Sequence, residues 1–359
     1  MATGGKIIRV GIAGQGRSGY DIHARWLREA KAQYQIVAVA DQLPERRRDA
    51  EEQFGARAYA DYRELIKSGG FDLFVNALPS FLHARGTVEA LRAGYHVICE
   101  KPFGRTAADV DRMAAAAKAA RRRVLPFQNS RFQPYFAKML EVIRSGKLGK
   151  IVCIRSNWSG FGRRWDWQTF QKNQGGNLYN TGPHPMDHAV MLFGERETPR
   201  VFARMACNNA FGGDADDFTL VTLYGSQSPT IEVVISSYQA YPQGEQYNVS
   251  GTLGGMSGGQ SGLKWKSFDP KKAPKQKMWK PWSDRRRYCG EELPWVEETW
   301  TPPEEFMKDP FQSLTRAFYN NIHDVLLKGA KPIVTVEQVR RQIAVMQECW
   351  RQNKLPRKA

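Results

Sequence analysis

The sequence predicts an α/β protein of two domains: a doubly wound parallel sheet over residues 1–127, then an α/β domain with a largely antiparallel, open sheet over residues 128–359. Three observations predict this. Strand-like and helix-like stretches alternate through the first third of the chain, which implies parallel pairing. The first strand runs through a glycine-rich turn into a helix. From Lys150 onward, strand-like runs follow one another with turn residues between them, as in an antiparallel sheet. At 359 residues the chain also exceeds what one small core organises.

Residues 6–13, KIIRVGIA, read as a short buried strand. They enter Gly14-Gln15-Gly16-Arg17-Ser18-Gly19, a GxGxxG turn, and residues 20–32 continue with helical period. In that setting the glycines differ in role. Gly14 allows the tight turn, Gly16 lets a pyrophosphate approach the backbone, and Gly19 lets helix pack on strand. The freed amides of the turn, Gln15, Arg17 and Ser18 among them, face the phosphates. A second strand, QIVAVAD, ends in Asp41, 22 residues after Gly19. An acid there accepts hydrogen bonds from the adenosine ribose and favours NAD over NADP. Arg46, Arg47 and Arg48 follow and would suit a 2′-phosphate that Asp41 repels. NAD is the expected coenzyme, and NADP use stays open.

The alternation continues through a helix at 61–69, a strand at 71–79, a helix at 83–94 and a strand at 96–102. Thr106 then reads as the N-cap of an alanine-rich helix, and 124–129 as the last strand of the set. Ligands of such sheets bind outside the carboxyl ends of the strands. Asp41, Leu78-Pro79, Glu100-Lys101-Pro102 and Gln128-Asn129 should therefore line one crevice, with Lys101 beside the nicotinamide end.

The formal charge is +17, densest at Arg46–Arg48, Arg121–Arg123, Lys271–Lys280 and Arg285–Arg287. No helix-turn-helix spacing, zinc finger or RNA-binding aromatic signature accompanies it, so a solvated basic surface is expected and no nucleic-acid partner. No run of eighteen apolar residues occurs, which argues against a membrane span. The N-terminal stretch has no signal-like pattern. Five dispersed cysteines without a CxxC pair suit reduced thiols, and a cytoplasmic location is expected.

Residues 175–188, GGNLYNTGPHPMDH, raise a separate question. His184 and His188 stand four apart with Asp187 between them, as helical metal ligands would. No glutamate adjoins His184, and a third ligand would have to come from elsewhere. No metal is expected. Proton acceptor and core bystander both stay open for His184 on these residues alone.

Taken together, these motifs resemble the glucose–fructose oxidoreductase, inositol dehydrogenase and rhizopine-catabolism (Gfo/Idh/MocA) family. The carriers are GxGxxG at 14–19, Asp41, ALPSFLH at 77–83, AGYHVICEKPF at 93–103, the later GG…G-P-H-P-M-D, SGKLGKI at 145–151 and SGTLGG at 250–255. The resemblance covers most of the chain except about residues 256–312. It implies a Rossmann domain whose coenzyme contacts include Leu78, Pro79, His83, Glu100, Lys101 and Asn129, followed by a domain covering the coenzyme. It also implies hydride transfer between NAD(P) and a hydroxyl-bearing carbon. Lys101 matches the EKP lysine that touches substrate and nicotinamide, and His184 matches the usual general base. Where the family commonly has Asp four residues before that histidine, this chain has Asn180, which leaves the choice of base between His184 and Lys101.

The second domain carries strand-like runs at 151–159, 200–208, 218–225, 230–238 and 246–254. Trp158, Phe161, Trp165 and Trp167 cluster just ahead of the His184 stretch. Trp158 and Trp167 are candidate substrate contacts, since aromatic faces suit the C–H faces of sugars and flat aglycones; ordinary packing is the equal reading. Residues 256–312, with Trp265, Trp279, Trp282, Trp295 and Trp300, should pack on the substrate domain or on a neighbouring subunit, and a homo-oligomer is expected. Amphipathic helices at 310–329 and 334–352 can close the domain. The expected function is NAD-dependent oxidation of a secondary hydroxyl on a sugar, a glycoside, including one with an aromatic aglycone, or a cyclitol. Lys101, His184 and Asn180 stand at the reaction centre; the alternative is a non-catalytic nucleotide-sensing regulator.

Overall fold

The structure, a computed structural model, describes residues 6–241, 244–278 and 289–357. The first sheet is built from β1 (Ile8–Ala13), β2 (Tyr34–Ala40), β3 (Arg57–Tyr59), β4 (Leu73–Asn76), β5 (His96–Cys99) and β6 (Val124–Pro126). Its order is β3-β2-β1-β4-β5-β6, every pair parallel. The helices between the strands are α1 (Arg25–Glu29), α2 (Pro44–Phe54), α3 (Tyr62–Ser68), α4 (His83–Arg92) and α5 (Ala107–Ala120). The expected Thr106 cap forms, with Asp109 reciprocating in a capping box. Sequence reading missed α2 and β3. A helix whose buried face is Ala50 alone, and a three-residue strand, leave little hydrophobic period to read.

One difference lies directly after the glycine turn. Residues Ser18–Ala24 wind as a wide π-type turn before the α-helical register of α1 sets in. Such widened turns are uncommon and cluster at functional sites. Here the widening carries His23 into the interior, fully buried.

The second part begins with α6 (Pro134–Arg144) and β7 (Ile151–Asn157), then α7 (Asn177–Asn180) and α8 (Pro183–Phe193). Strands β8 (Arg200–Ala206), β9 (Phe218–Tyr224), β10 (Thr230–Ser236), β11 (Tyr247–Gly251), β12 (Gly254–Gly259), β13 (Gly262–Ser267) and β14 (Val296–Trp300) follow. They form one eight-stranded sheet, order β14-β13-β12-β11-β7-β10-β9-β8. All pairs are antiparallel except β7 with β10. The segment from 256 onward therefore extends the sheet: Trp265 and Trp300 lie on paired strands, while Trp279 and Trp282 fall outside the described residues.

Alternation along β8, β9 and β10 buries Ala203, Met205, Val221, Leu223, Ile231 and Val233 on one face. Phe202 stays 55% exposed on the other. The β8 edge is capped: Gln352 accepts from the Ala203 amide and Asn353 from that of Met205 (both 2.9 Å). Such capping blunts edge pairing.

Helix α9 (Glu304–Lys308) leads into α10 (Pro310–Leu327), and α11 (Val336–Gln352) ends the fold. Rather than closing the second domain, α10 packs Phe318, Tyr319, Ile322 and Val325 against Ile8, Val10, Leu27 and Tyr34 of the first sheet's core. The Tyr34 hydroxyl donates to the Tyr319 carbonyl at 2.7 Å.

Pro183, just before His184, stands in the first turn of α8, where its missing N–H costs nothing. His188 is fully buried, stacked on Phe136 with ring centroids 3.6 Å apart. Its nitrogens meet the Tyr247 hydroxyl (2.8 Å) and the Ser130 carbonyl (3.0 Å). Asp187 is paired with buried Arg131 at 2.6 Å. Both residues are thus engaged in packing, not turned to a shared ligand with His184.

Burial pushes the His188 pKa from 6.5 down to about 3. The folded ring stays neutral while the unfolded chain takes up a proton below about 6.5, so this stabilising contribution is full above pH 6.5 and is lost as pH falls toward 3. In urea unfolding at about pH 6 and pH 5, wild type should lose stability relative to His188→Gln by up to about 1.4 kcal/mol per pH unit. Equal pH slopes for the two proteins would contradict the buried neutral ring.

Candidate functional site

The register of the first sheet sets the site. Ala13 pairs with Ala40 and with Asn76, Asn76 with Cys99, and Cys99 with Pro126, so five strands end level. The residues that follow emerge along one edge: Gly14, Asp41, Ala77-Leu78, Glu100-Lys101 and Phe127-Gln128. The crevice expected from topology is therefore assembled.

Within the glycine turn the three positions differ. Gly14 has φ +92, and a Cβ there would lie 2.3 Å from the Ala77 carbonyl oxygen. A Cβ at Gly19 would lie 1.8 Å from the Gly14 oxygen, so no side chain fits. At Gly16 the nearest atom is an Arg46 guanidinium nitrogen at 3.5 Å, which leaves that backbone open to a ligand. The cradle fits a dinucleotide pyrophosphate. The Gln15 side-chain oxygen is also buried without a partner.

Asp41 stands at the end of β2. Its carboxylate accepts from the Gln15 amide (2.7 Å) and the Leu43 amide (2.9 Å), with Arg46 at 3.4 Å. Arg47 is tied to the Asp41 and Gln42 carbonyls, both at 2.9 Å. Two of the three arginines are thus gathered at the acid that sequence reading set against them.

His83, 2% exposed, has its two nitrogens 2.7 Å from the Pro102 carbonyl and 2.8 Å from that of Leu78. The ring ties the Leu78-Pro79 loop to the Lys101-Pro102 loop. Asn129, also buried, begins the turn after β6.

Glu100 departs from a direct coenzyme contact. It is 3% exposed and turned inward: one oxygen lies 3.2 Å from His23 Nε2, the other accepts from the Lys101 amide at 3.0 Å. His23 Nδ1 in turn lies 2.8 Å from the Tyr319 hydroxyl. Burial opposes ionisation of Glu100, but the His23 hydrogen bond and the nearby cations outweigh it and hold the carboxyl down at about 2. The strand end that presents Lys101 is anchored through this buried chain to α10.

Lys101 Nζ donates to the main-chain carbonyl of Asn180 at 2.8 Å, crossing from the first sheet to the last residue of α7. Burial pushes its pKa down; Glu100 opposes this, while Arg17 and Arg164 push the same way. His184 lies in the first turn of α8, one turn beyond Asn180. The Pro183 carbonyl beside it accepts from Gln128 (2.6 Å) and Gln342 (2.8 Å), which fixes the start of that helix. Trp158 lies nearly parallel to the His184 ring at 6.2 Å, its indole N–H spent on Ser156 (3.0 Å) and Tyr247 (3.3 Å). Trp158 thus backs the imidazole, whereas Trp167 is 41% exposed on the preceding loop.

His184 Nδ1 is buried and has no partner. The asparagine amide does not orient the ring; Asn180 contributes its main chain, and to Lys101. Burial, then the Lys101 charge, lower the His184 pKa to about 3. The ring is therefore neutral at physiological pH, and its unpartnered nitrogen carries no competing hydrogen bond. Sequence reading missed His23 and Arg164. Neither residue lies in a motif that declares it, since His23 is carried inward by the π-type turn and Arg164 acts only through its charge.

Two models of one family match the chain: an oxidoreductase family with an NAD-binding Rossmann fold over residues 8–127, and the GFO/IDH/MocA C-terminal domain over residues 136–257. The chain belongs to the Gfo/Idh/MocA oxidoreductase family, and its first domain binds NAD(P). Among curated relatives, an uncharacterized oxidoreductase of Schizosaccharomyces pombe is 30% identical over 52% of each chain. A myo-inositol 2-dehydrogenase of Thermotoga maritima is 29% identical over 69% of this chain and 74% of its own. The chain covers 52% to 64% of the length of the first curated relatives it matches. Among solved structures, the WlbA dehydrogenase of Bordetella pertussis, in complex with NADH and UDP-GlcNAcA, superposes with a TM-score of 0.75. It is 20% identical, with 97% of this chain and 95% of that one covered.

The coenzyme contacts can be probed directly. Asp41→Ser removes a charged acceptor and frees Arg46, so NADH affinity should fall roughly 10-fold while NADPH affinity holds or rises. Coenzyme fluorescence titration measures both, and an unchanged affinity ratio would contradict the role of Asp41.

Proposed function

We propose that the protein is an NAD-dependent dehydrogenase that oxidises a secondary hydroxyl on a sugar, glycoside or cyclitol. The observation that carries this is the convergence at one crevice edge of a half-buried lysine, bonded across the two sheets to Asn180, and a neutral imidazole with an unpartnered nitrogen. The Thermotoga relative, a myo-inositol 2-dehydrogenase, supports a polyhydroxylated substrate. So does the sugar nucleotide bound by WlbA.

When bound, nicotinamide supplies the hydride acceptor. The chain's own residues then do two things. The Lys101 ammonium holds the substrate oxygen and stabilises its developing negative charge. His184 accepts the hydroxyl proton, since loss of hydride from carbon requires the neighbouring oxygen to give up its proton. The imidazolium so formed lies close to the Lys101 cation with no carboxylate of Asn180 to offset it. That cost makes Lys101, its own pKa lowered by burial, the alternative acceptor: in its neutral form the amine takes the hydroxyl proton in place of His184 and the ammonium so formed faces the reacting oxygen.

One observation favours a second reading. An imidazole held at about 3 is a weak base, as a nucleotide-sensing regulator of this fold could tolerate. Incubation with NAD and a panel of sugars, glycosides and cyclitols, followed by NADH absorbance, separates the two. Turnover of a panel member is expected; NAD binding without turnover across the panel would favour the sensor.

Lys101→Ala and His184→Ala should each lower turnover by about 10²- to 10⁴-fold with NADH affinity nearly unchanged. Asn180→Ala should be far milder, because its main-chain carbonyl persists. Asn180→Asp places a negative charge beside both cations and should raise the rate-controlling pKa. Undiminished turnover in His184→Ala would remove it as the base.

The outward sheet face, with Phe202 55% and Tyr224 41% exposed, supports assembly of copies through that face. Light scattering at micromolar concentration should report more than one chain, with Phe202→Glu shifting the mass downward. A monomeric wild type would contradict it.

A further inference from the structure

A second pocket lies in the loops that precede the His184 stretch. It encloses about 80 Å³, and its lining includes Arg163, Arg164, Asn177, Asn208, Phe211 and Asp216. Two exposed aromatic side chains line it, Phe211 (49%) and Tyr238 (39%), and two more stand beside them in solvent, Trp165 (74%) and Phe161 (62%). They are ordered in pairs, Trp165 against Phe211 at 5.5 Å and Phe161 against Tyr238 at 6.2 Å. The Arg163 guanidinium lies 4.6 Å from the Phe211 centroid. So much ordered aromatic surface left in water at one rim is an unusual concentration.

The interior of the pocket is polar. Asp217 accepts from the Asn208 amide and side chain (2.8 and 3.0 Å) and from the Tyr238 hydroxyl (2.8 Å). Asp216 is 2% exposed; one oxygen accepts from the Leu178 amide and the Thr219 hydroxyl, while Oδ1 is buried without a partner. That orphaned oxygen lies against Gly176, where a Cβ would come within 2.0 Å of it. A buried acceptor left unpaired is costly unless something supplies its bond.

The pocket is coupled to the reaction centre. Arg164 lines it, and the same charge depresses the Lys101 ammonium. Asn177, also in the lining, begins the single turn of α7 that Asn180 ends. One helical turn rises about 5.4 Å, so the lining begins about one turn along the backbone from the carbonyl that Lys101 holds.

We infer that this aromatic-rimmed pocket is a subsite for a second sugar ring, so that the substrate is a glycoside spanning both positions. The inference rests on the dehydrogenase reading above. A pyranose matches both the aromatic pairs beside the pocket and its polar interior. Its C–H faces lie on Trp165 and Phe211, and its hydroxyl edge enters the small interior to meet Asn208, Asp216 and Arg163. A bare aryl group would cover the rim but leave the polar interior unpaired.

The test compares kcat/KM for a monosaccharide that the NAD-linked panel shows to be oxidised with disaccharides carrying that same ring. At least one disaccharide should be preferred by about 10-fold or more, and in Phe211→Ala that ratio should fall to near one. Equal kcat/KM values, or a preference that survives Phe211→Ala, overturn the subsite and leave the dehydrogenase standing. Should no sugar be oxidised, the dehydrogenase reading falls by itself. The pocket is then read by tryptophan fluorescence, titrating wild type and Phe211→Ala, which keeps Trp165 as reporter, with cellobiose, maltose and lactose. A saturable change that is lost or weakened about 10-fold in Phe211→Ala supports the subsite; no change with any of the three, or one unaltered in Phe211→Ala, overturns it.

Discussion

The hydrogen bond from Lys101 Nζ to the Asn180 carbonyl is the constraint on which the site depends. It joins the end of a parallel strand to a short helix laid on a different sheet, and everything around it serves to hold its two ends. On one side, Glu100 turns inward to His23 and Tyr319 and accepts the Lys101 amide, so the lysine leaves β5 in one direction. On the other, two glutamine amides grip the Pro183 carbonyl and fix the start of α8, which carries His184. Helix α10 therefore matters to a crevice it does not line.

Electrostatics sharpen the geometry. Arg17 and Arg164 both act on Lys101, and Lys101 acts on His184. With Asn180 where a carboxylate would neutralise part of this field, the site is electropositive. That suits an oxygen acquiring negative charge, and it makes a cationic imidazole expensive. In the proposed reaction, affinity for the oxyanion and ease of proton removal therefore pull against each other.

The parts of the molecule legible in sequence are those where one physical requirement dictates the residue. The GxGxxG turn, Asp41 and the level strand ends follow from steric closeness and parallel register, so the crevice can be placed from the chain alone. Short elements with weak period, such as β3 and α2, are not visible there. Glycine and lysine hide the strands β12 and β13, and β14 pairs with β13 only after a long intervening stretch. At the site, residue identities are readable but their partners are not. Glu100 faces inward, Trp158 backs His184, and Asn180 acts through its carbonyl, because side-chain direction is set by tertiary packing that no local spacing records.

Chemical rescue tests the central claim most directly. Turnover of Lys101→Ala, on a substrate the wild type oxidises, is measured with and without added methylammonium. A small cation occupying the space of the lysine head group should restore a saturable part of the lost rate while leaving wild type unaffected. A Lys101→Ala protein that turns over as fast as wild type, or one whose lost rate no alkylammonium restores although it binds NADH normally, would contradict a lysine cation held at the reacting oxygen.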